Sequence, residues 1–322
     1  MTEAWLLPNA FTWAPLLQNN FMNRKFIYFI NPISGTKGKV LMLEIIKKRT
    51  VKKNIPFEIL HTNAEGNYDY VKEKIATEKI TDIIVCGGDG SVNQIAGALL
   101  GVAINIGIIP MGSGNGLAFA AKIPKNVTKA LDVIFNGHAL HIDSFYINKK
   151  FSCMLCGLGF DAQVAHDFAK QQQRGLKTYI KQSVKNFRTA TPYPFKLIVN
   201  DSLINTEAFF ISIANSNQFG NNFTIAPQAS LHDGLLDIVI VNKMSKMRMV
   251  WNVLKQIRKG EVRPYEDKKY HRTDIGYFQT KKITIQNPSM APLHIDGDPA
   301  ETSSTFEIRI IENAFKLLMP DK

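Results

Sequence analysis

The chain has 322 residues, about twice the ~150-residue unit of a single domain, so two packed domains are expected. Apolar residues make up 45% and charged residues 20%, which excludes a disordered or fibrous chain. Its 39 basic against 27 acidic side chains leave a net charge of +12, which favours nucleotides, nucleic acid or acidic headgroups as partners without choosing among them.

The first twenty residues hold no Lys or Arg, two prolines and Glu3, which is not the basic-then-apolar order of a secretory leader. Residues 1–23 are read as an extension. From Lys25 the pattern is strand, loop, helix, repeated. Phe26 to Ile30 is an apolar run, followed by the turn-rich loop Asn31 to Gly38 and a helical stretch keeping Val40, Leu43 and Ile46 on one face. Phe57 to Leu60 is a second strand and Tyr70 to Glu78 a second helix. Asp82 to Cys86 runs straight into Gly87-Gly-Asp-Gly90, a helix follows over Val92 to Leu100, and Ile106 to Ile109 leads into Pro110-Met-Gly-Ser-Gly-Asn115. Strands that are apolar throughout and alternate with helices imply a parallel sheet covered on both faces, with binding sites where the strands end.

After His138 short alternating strands take over: His141 to Ile147, Phe151 to Leu155, Phe195 to Val199, Glu207 to Ala214, Leu235 to Val241, Lys282 to Gln286 and Phe306 to Ile311. Loops rich in Asn, Gly, Pro and Asp join them, which predicts an antiparallel β second domain beginning near Asp143. Two helical stretches interrupt it, Gly175 to Arg188 and Lys246 to Lys259. Three cysteines are too few for a disulfide framework. Cys153 and Cys156 have zinc-like spacing, yet no second pair completes a site, and Phe151 to Gly157 reads as a buried strand. The longest apolar stretch, Ala98 to Pro110, falls short of the ~20 residues a bilayer requires.

Neither familiar phosphate cradle is present. A Walker loop fails because Ile33 stands where its first glycine belongs and Val40 follows Lys39. The dinucleotide fingerprint fails because Gly116 comes one place early after Gly112 and Gly114. What remains is three glycine loops, each directly after a predicted parallel strand. Glycines let a backbone approach phosphate oxygens, and a helix N-terminus behind each loop adds partial positive charge. One such turn alone is ordinarily structural. Three together, with Asp89 placed among glycines where a carboxylate suits Mg²⁺ or a ribose, point to a triphosphate.

The motif Gly87-Gly-Asp-Gly-Ser-Val-Asn93, preceded by Asn31-Pro-Ile-Ser-Gly35 and followed by Pro110 to Asn115, resembles the diacylglycerol kinase catalytic domain family, which includes bacterial lipid kinases and sphingosine and ceramide kinases. The likeness runs from about Arg24 to the C-terminus. It continues in Gly157-Leu-Gly-Phe-Asp-Ala162, Ser230 to Asp237 and His294-Ile-Asp-Gly-Asp298. It implies an α/β nucleotide-binding domain at 24–143, completed by 305–322, and a β-sandwich-like domain at 144–304, with ATP between them. By matched position Asn31, Pro32, Ile33, Ser34, Gly35, Thr62, Gly87, Gly88, Asp89, Gly90, Ser91, Val92, Asn93, Gly112, Ser113, Gly114 and Asn115 look like the ATP-binding residues. A structural Mg²⁺ is implied on the Asp233 carboxylate and the carbonyls of Ser230 and Leu235. The family's catalytic Asp-Gly-Glu element reads Asp296-Gly-Asp298 here, with Asp296 as base, Asp298 as its neighbour, and the division of roles open. Gln94 replaces a common Glu.

The expected activity is transfer of the γ-phosphate of Mg·ATP to a hydroxyl of diacylglycerol or a related lipid. A sphingoid or ceramide-type acceptor, a soluble acceptor such as NAD, and a non-catalytic nucleotide- or lipid-binding regulator are the alternatives. Helix 175–188 sets Lys177, Lys181, Lys185 and Arg188 on one face, against an apolar stripe of Ile180, Val184 and Phe187, and segment 243–263 is also basic. These fit either a solvated face or docking on an anionic bilayer. The expected setting is cytoplasmic, peripheral to the inner face of the membrane, with a homo-oligomer possible. Nucleic acid is not expected as a partner, since no recognition motif or interleaved aromatic appears.

Overall fold

The computed structural model describes residues 24–32, 39–63, 65–171, 176–220, 223–224, 226–248 and 274–321. In chain order its first half contains β1 (Phe26–Ile30), α1 (Lys39–Lys52), β2 (Phe57–His61), α2 (Asp69–Glu78), β3 (Asp82–Gly87), α3 (Asp89–Ala98), β4 (Asn105–Pro110), α4 (Gly116–Ala120) and α5 (Val127–Asn136). β1 and β3 are buried along their whole length, and β2, β1, β3 and β4 pair in parallel in that order. This is the covered parallel sheet that uninterrupted apolar strands predict. α5 is an addition to the sequence reading. Asn126 caps it by accepting the Lys129 N–H at 3.1 Å, and it buries Ala130, Leu131, Ile134 and Phe135 against the sheet. On α1 the inward side chains are Met42, Ile46 and Thr50, whereas Val40 is 73% exposed rather than on the buried face.

The second half contains β5 (His138–Ile147), β6 (Lys150–Ser152), β7 (Leu155–Gly159), α6 (Phe160–Ala169), α7 (Leu176–Thr189), β8 (Tyr193–Val199), β9 (Ser202–Ala214), β10 (Gln218–Gly220), β11 (Phe223–Thr224), β12 (Leu236–Asn242), β13 (Ile275–Thr280), β14 (Lys282–Gln286), β15 (Leu293–Ile295), β16 (Asp298–Ala300) and β17 (Thr305–Met319). The pairings among these strands are antiparallel, and Phe145, Phe195, Ile211, Ile238 and Phe306 form a second core. The fold is therefore an α/β unit on a parallel sheet followed by an antiparallel β unit. Two features depart from the sequence reading. The stretch read as one strand from Phe151 breaks at Cys153 and Met154, because their backbone N–H groups turn toward a buried carboxylate. The motif Gly157 to Ala162 runs from a strand into α6, which the thinning of helical periodicity concealed. The helix read over Lys246 to Lys259 lies mostly outside the described residues.

β17 joins the two units. Its first part pairs antiparallel with β14, and its last part lies parallel to β4, with Lys316 opposite Asn105. Between them the strand bulges at Asn313, φ +53°, opposite β5. Asp143, 3% exposed in the middle of β5, fills this irregularity. Its Oδ1 accepts the Asn313 N–H at 2.8 Å and its Oδ2 the Gly234 N–H at 2.7 Å. The sequence boundary at Asp143 thus falls inside a strand that both units share. Replacing Asp143 by Ala orphans the buried Gly234 N–H, worth about 1–3 kcal/mol, and frees the exposed Asn313 N–H to water, so urea unfolding should show a loss of about 1–3 kcal/mol, with Asp143→Asn losing less.

Candidate active site

The parallel strands β1, β3 and β4 end at one edge of the sheet, and their loops meet there. Asn31 donates from Nδ2 to Ser91 Oγ at 2.8 Å, and its own N–H reaches the Cys86 carbonyl. The loops after β3 and β4 touch backbone to backbone. A Cβ added at Gly112 would stand 2.6 Å from Gly88 Cα, so a side chain at 112 would force the loops apart. Asn115, φ +55°, clamps its loop from both ends, accepting the Gly112 N–H at 2.8 Å and donating to the Gly112 carbonyl at 2.7 Å. Asp89 opens α3, and its carboxylate accepts the N–H groups of Gly116 and Leu117 at 3.0 and 3.3 Å, tying α3 to α4. Gly88 is the N-cap of α3, so the cap residue itself offers no side chain to the positive end of the helix, an end that favours negative charge.

The other predicted nucleotide residues divide plainly. Gly87 ends β3 and Gly90 lies in the first turn of α3, Ser113 and Gly114 lie on the loop after β4 with Ser113 exposed, and Thr62 stands beside the end of β1 with its N–H on the Ile30 carbonyl. Val92, 2% exposed, belongs to the core, and Ser91 is buried under the Asn31 side chain. Pro32 ends the described part of its loop; Ile33, Ser34 and Gly35 lie outside the described residues.

Across from these loops stands the late acidic pair. β15 and β16 form a hairpin with Ile295 opposite Asp298, and the two residues between, Asp296 and Gly297, both have positive φ, +50° and +85°. That is the tight turn whose twist suits a hairpin. Asp296, 6% exposed, has Oδ1 accepting from Ser152 Oγ at 2.7 Å and from the Met154 and Leu155 N–H groups at 3.1 and 3.0 Å. Its Oδ2 accepts the Cys153 N–H at 3.2 Å. Asp298 is exposed and leans over α3, so that a Cβ at Gly90 would be 2.7 Å from its Oδ2. Between them opens a cleft of about 300 Å³, lined by Gly90, Asn93, Gln94, Lys150, Asp296 and Asp298 among others. Asn93 donates to the Phe151 carbonyl at 3.2 Å, while its buried Oδ1 has no partner.

The glycine loops and the acidic turn are also joined electrostatically. Burial pushes the Asp89 carboxyl up to about 6 against the pull of the Gly116 and Leu117 N–H groups, with a further push from the charge of Asp296. Burial likewise raises Asp296, opposed by Ser152 and by the N–H groups of Leu155, Cys153 and Met154. Two carboxyls raised by burial in this way suit a site that a cation or a transferable proton enters.

Residues 25–147 match the family described as the diacylglycerol kinase catalytic domain, and residues 155–319 match the YegS C-terminal NAD kinase beta sandwich-like domain. The chain belongs to the diacylglycerol kinase and YegS lipid kinase family. A protein of Synechocystis with no assigned activity is 29% identical over 68% of this chain, which spans about half, 53%, of that relative's length. A diacylglycerol kinase of Staphylococcus carnosus is 22% identical over 86% of this chain and 89% of its own. In structure, a diacylglycerol kinase from Bacillus anthracis strain Sterne superposes with a TM-score of 0.68 at 20% identity, over 92% of this chain and 97% of that one. The second unit of this kinase-family fold is thus sandwich-like, as the resemblance implied.

Ser230, Asp233 and Leu235 lie apart from the cleft, on the loop that Asp143 holds through Gly234. Ser230 Oγ is 2.7 Å from His232 Nδ1, and Asp233 Oδ1 accepts the Leu235 N–H at 3.1 Å. Among the described residues no three His, Cys, Asp or Glu side chains form a metal-ligating group. Sequence reasoning missed Ser152, Lys150 and the backbone of Cys153 to Leu155, since nothing in a run read as a strand signals donors turned inward. The raised Asp89 predicts a sign for pH dependence. Its folded value, about 6, exceeds the unfolded value near 3.9, so folding takes up a proton between the two and stability falls as pH rises through that window. Asp89→Asn should therefore gain stability relative to wild type between pH 4.5 and 7 in urea titrations.

Proposed function

We propose that the protein is an ATP-dependent lipid kinase that phosphorylates a hydroxyl of diacylglycerol or a related lipid. The carrying observation is that Asp298 leans over Gly90 in the first turn of α3 while Asp296 and Asp298 line one cleft together with Gly90 and Asn93, which joins that helix end to the acidic turn. In this reading the positive end of α3 and the glycine backbones at 88, 90 and 112 receive the phosphates of ATP. Asp296, through Oδ2, the oxygen with fewer backbone donors, takes the proton of the acceptor hydroxyl as its oxygen attacks the terminal phosphorus and ADP leaves. Asp298, reaching the cleft from the exposed side, orients that hydroxyl.

A divalent cation fits the loop of Ser230, Asp233 and Leu235. Asp237, fully buried below it, has its Oδ2 without a partner, and burial with the nearby Asp233 charge pushes its carboxyl up to about 6 while Tyr277 pulls the other way. Tyr277 and Gln279 both donate to Asp237 Oδ1, and a Mg²⁺ held by the Asp233 carboxylate and the carbonyls of Ser230 and Leu235 would offset the negative charge that remains. Its contribution there is to anchor the loop, which Asp143 links to β17. Millimolar Mg²⁺ should raise the thermal midpoint of wild type and leave that of Asp233→Asn unmoved.

Docking on an anionic, inner-leaflet membrane surface is supported by α7. Lys181, Lys185 and Arg188 are exposed, and Val184, part of the apolar stripe read from the sequence, is 54% exposed beside them. The buried face carries Gln182 and Asn186 instead, and Phe187 meets Phe160 of α6 with ring centroids 6.2 Å apart. Among the described residues no helix is long and apolar enough to cross a membrane. Each surface cation is worth about 1 kcal/mol at an acidic bilayer. Lys181→Glu/Lys185→Glu should release the protein from phosphatidylglycerol vesicles in sedimentation, and equal binding by the variant would refute this docking face.

The activity itself is tested by incubating purified protein with labelled ATP, Mg²⁺ and a lipid extract and resolving the products. A labelled phospholipid is expected, and none from NAD. Asp296→Asn should lower kcat by about 10²–10⁴, and Asp298→Asn, which leaves the buried donors in place, by a smaller factor.

A further inference from the structure

Gly157-Leu-Gly-Phe-Asp-Ala162 and His294 stand among the sequence motifs, yet neither Asp161 nor His294 has a part in the reaction so far. The two side chains meet behind the acidic turn. His294, 1% exposed, lies with Nε2 3.2 Å from Asp161 Oδ2, and Asp161 is 7% exposed. On the other side of the ring, Nδ1 accepts the N–H of Gly297 at 3.3 Å. Since a backbone N–H can only donate, Nδ1 carries no proton, and the ring proton sits on Nε2, facing the carboxylate. Asp161 is fixed in turn by its Oδ1, which accepts the Ala162 N–H at 2.8 Å in the first turn of α6. Gly157 faces His294 across the β7–β15 pairing, and it leaves the pair its room. A Cβ at 157 would lie 2.0 Å from Asp161 Oδ2 and 2.5 Å from His294 Nε2.

We propose that Asp161 and His294 are positioning residues that set the Asp296-Gly297-Asp298 turn. They act through the Gly297 N–H and touch neither ATP nor the acceptor; the proposal rests on the kinase reading above. The turn is then held from two sides. Ser152 and the backbone of Cys153 to Leu155 grip the Asp296 side chain, while the imidazole grips the peptide that follows it. That peptide carries the chain from Asp296 to Asp298, so a slip at Gly297 swings Asp298 away from Gly90. Misplacement by ~1 Å in such a constellation costs about 10²-fold in rate.

The chemistry makes the pair separable from bulk packing. Gln offers an acceptor and a donor at about the separation of the two ring nitrogens, so His294→Gln keeps both links, and His294→Leu keeps neither. Asp161→Asn must present its NH₂ either to the Ala162 N–H, where two donors clash, or to His294 Nε2. The latter drives the ring proton to Nδ1, opposite the Gly297 donor. In full-length protein, His294→Leu and Asp161→Asn should lower kcat about 10–100-fold while KM for ATP stays within about twofold, and His294→Gln should keep at least half of wild-type kcat. Hydrogen exchange at the Gly297 amide, slow in wild type and His294→Gln, should quicken in the other two. Unchanged kcat in a folded His294→Leu, a His294→Gln as slow as His294→Leu, or a loss confined to KM would overturn the proposal. If His294→Leu does not fold, Asp161→Asn with wild-type kcat overturns it. A wild type that makes no labelled lipid would end the kinase reading, and exchange at Gly297 would then decide the clamp by itself.

Discussion

A carboxylate removed from water without a cation beside it must be solvated by the protein, and this fold meets that requirement three times with backbone N–H groups. Asp296 takes the amides of Cys153, Met154 and Leu155, Asp143 those of Asn313 and Gly234, and Asp89 those of Gly116 and Leu117. Each buried acid therefore joins an irregular segment of one element to another element, and each irregularity exists where donors must leave the regular ladder. The break between β6 and β7, the bulge in β17 and the entry to α4 are consequences of this one demand. The glycine loops and the acidic turn meet where Asp298 leans over Gly90.

The glycines complement these acids. Gly88 and Gly112 let two loop backbones come into contact at the sheet edge, and Gly157 makes room for a buried acid–imidazole pair. None of these positions needs a left-handed backbone. Their requirement is space, so substitution there is a matter of collision with backbone or with a fixed polar pair. In Gly90 the collision would be with the Asp298 side chain, which can move, and the constraint there is correspondingly softer.

Surface charge follows a different logic. Some of the basic side chains are spent on structure: Arg24 makes a two-pronged bond to the fully buried Asp82 and also donates to the Ile134 carbonyl, tying β3 to α5. Others, such as Lys181, Lys185 and Arg188, stand exposed around Val184. The amphipathic pattern of α7 identified an exposed cationic set and an apolar stripe of which Phe187 is packed and Val184 is exposed. Gln182 and Asn186 occupy the packed side, Asn186 donating to the Gln182 carbonyl, and periodicity of apolar residues is blind to a polar buried face.

The parallel sheet was legible in the sequence because strands buried on both faces are apolar along their middle, as Phe26 to Ile30 and Ile83 to Cys86 are, with Asp82 at the start of its strand held by Arg24. The glycine loops were legible because a tight approach of backbone leaves a residue-type signature, and the family likeness rested on those same loops. The cap Asn126 ahead of Leu131 and Ile134 was a readable helix signal that went unread. The strand break at Cys153, α6 and the contacts of Asp296 were not legible. Their partners lie more than a hundred residues away, and local propensity carries no term for a carboxylate arriving from a distant hairpin. Local chemistry thus determined the strands, the turns and the acids on offer, while only tertiary folding decided which acid each amide would meet, because that choice is made by burial.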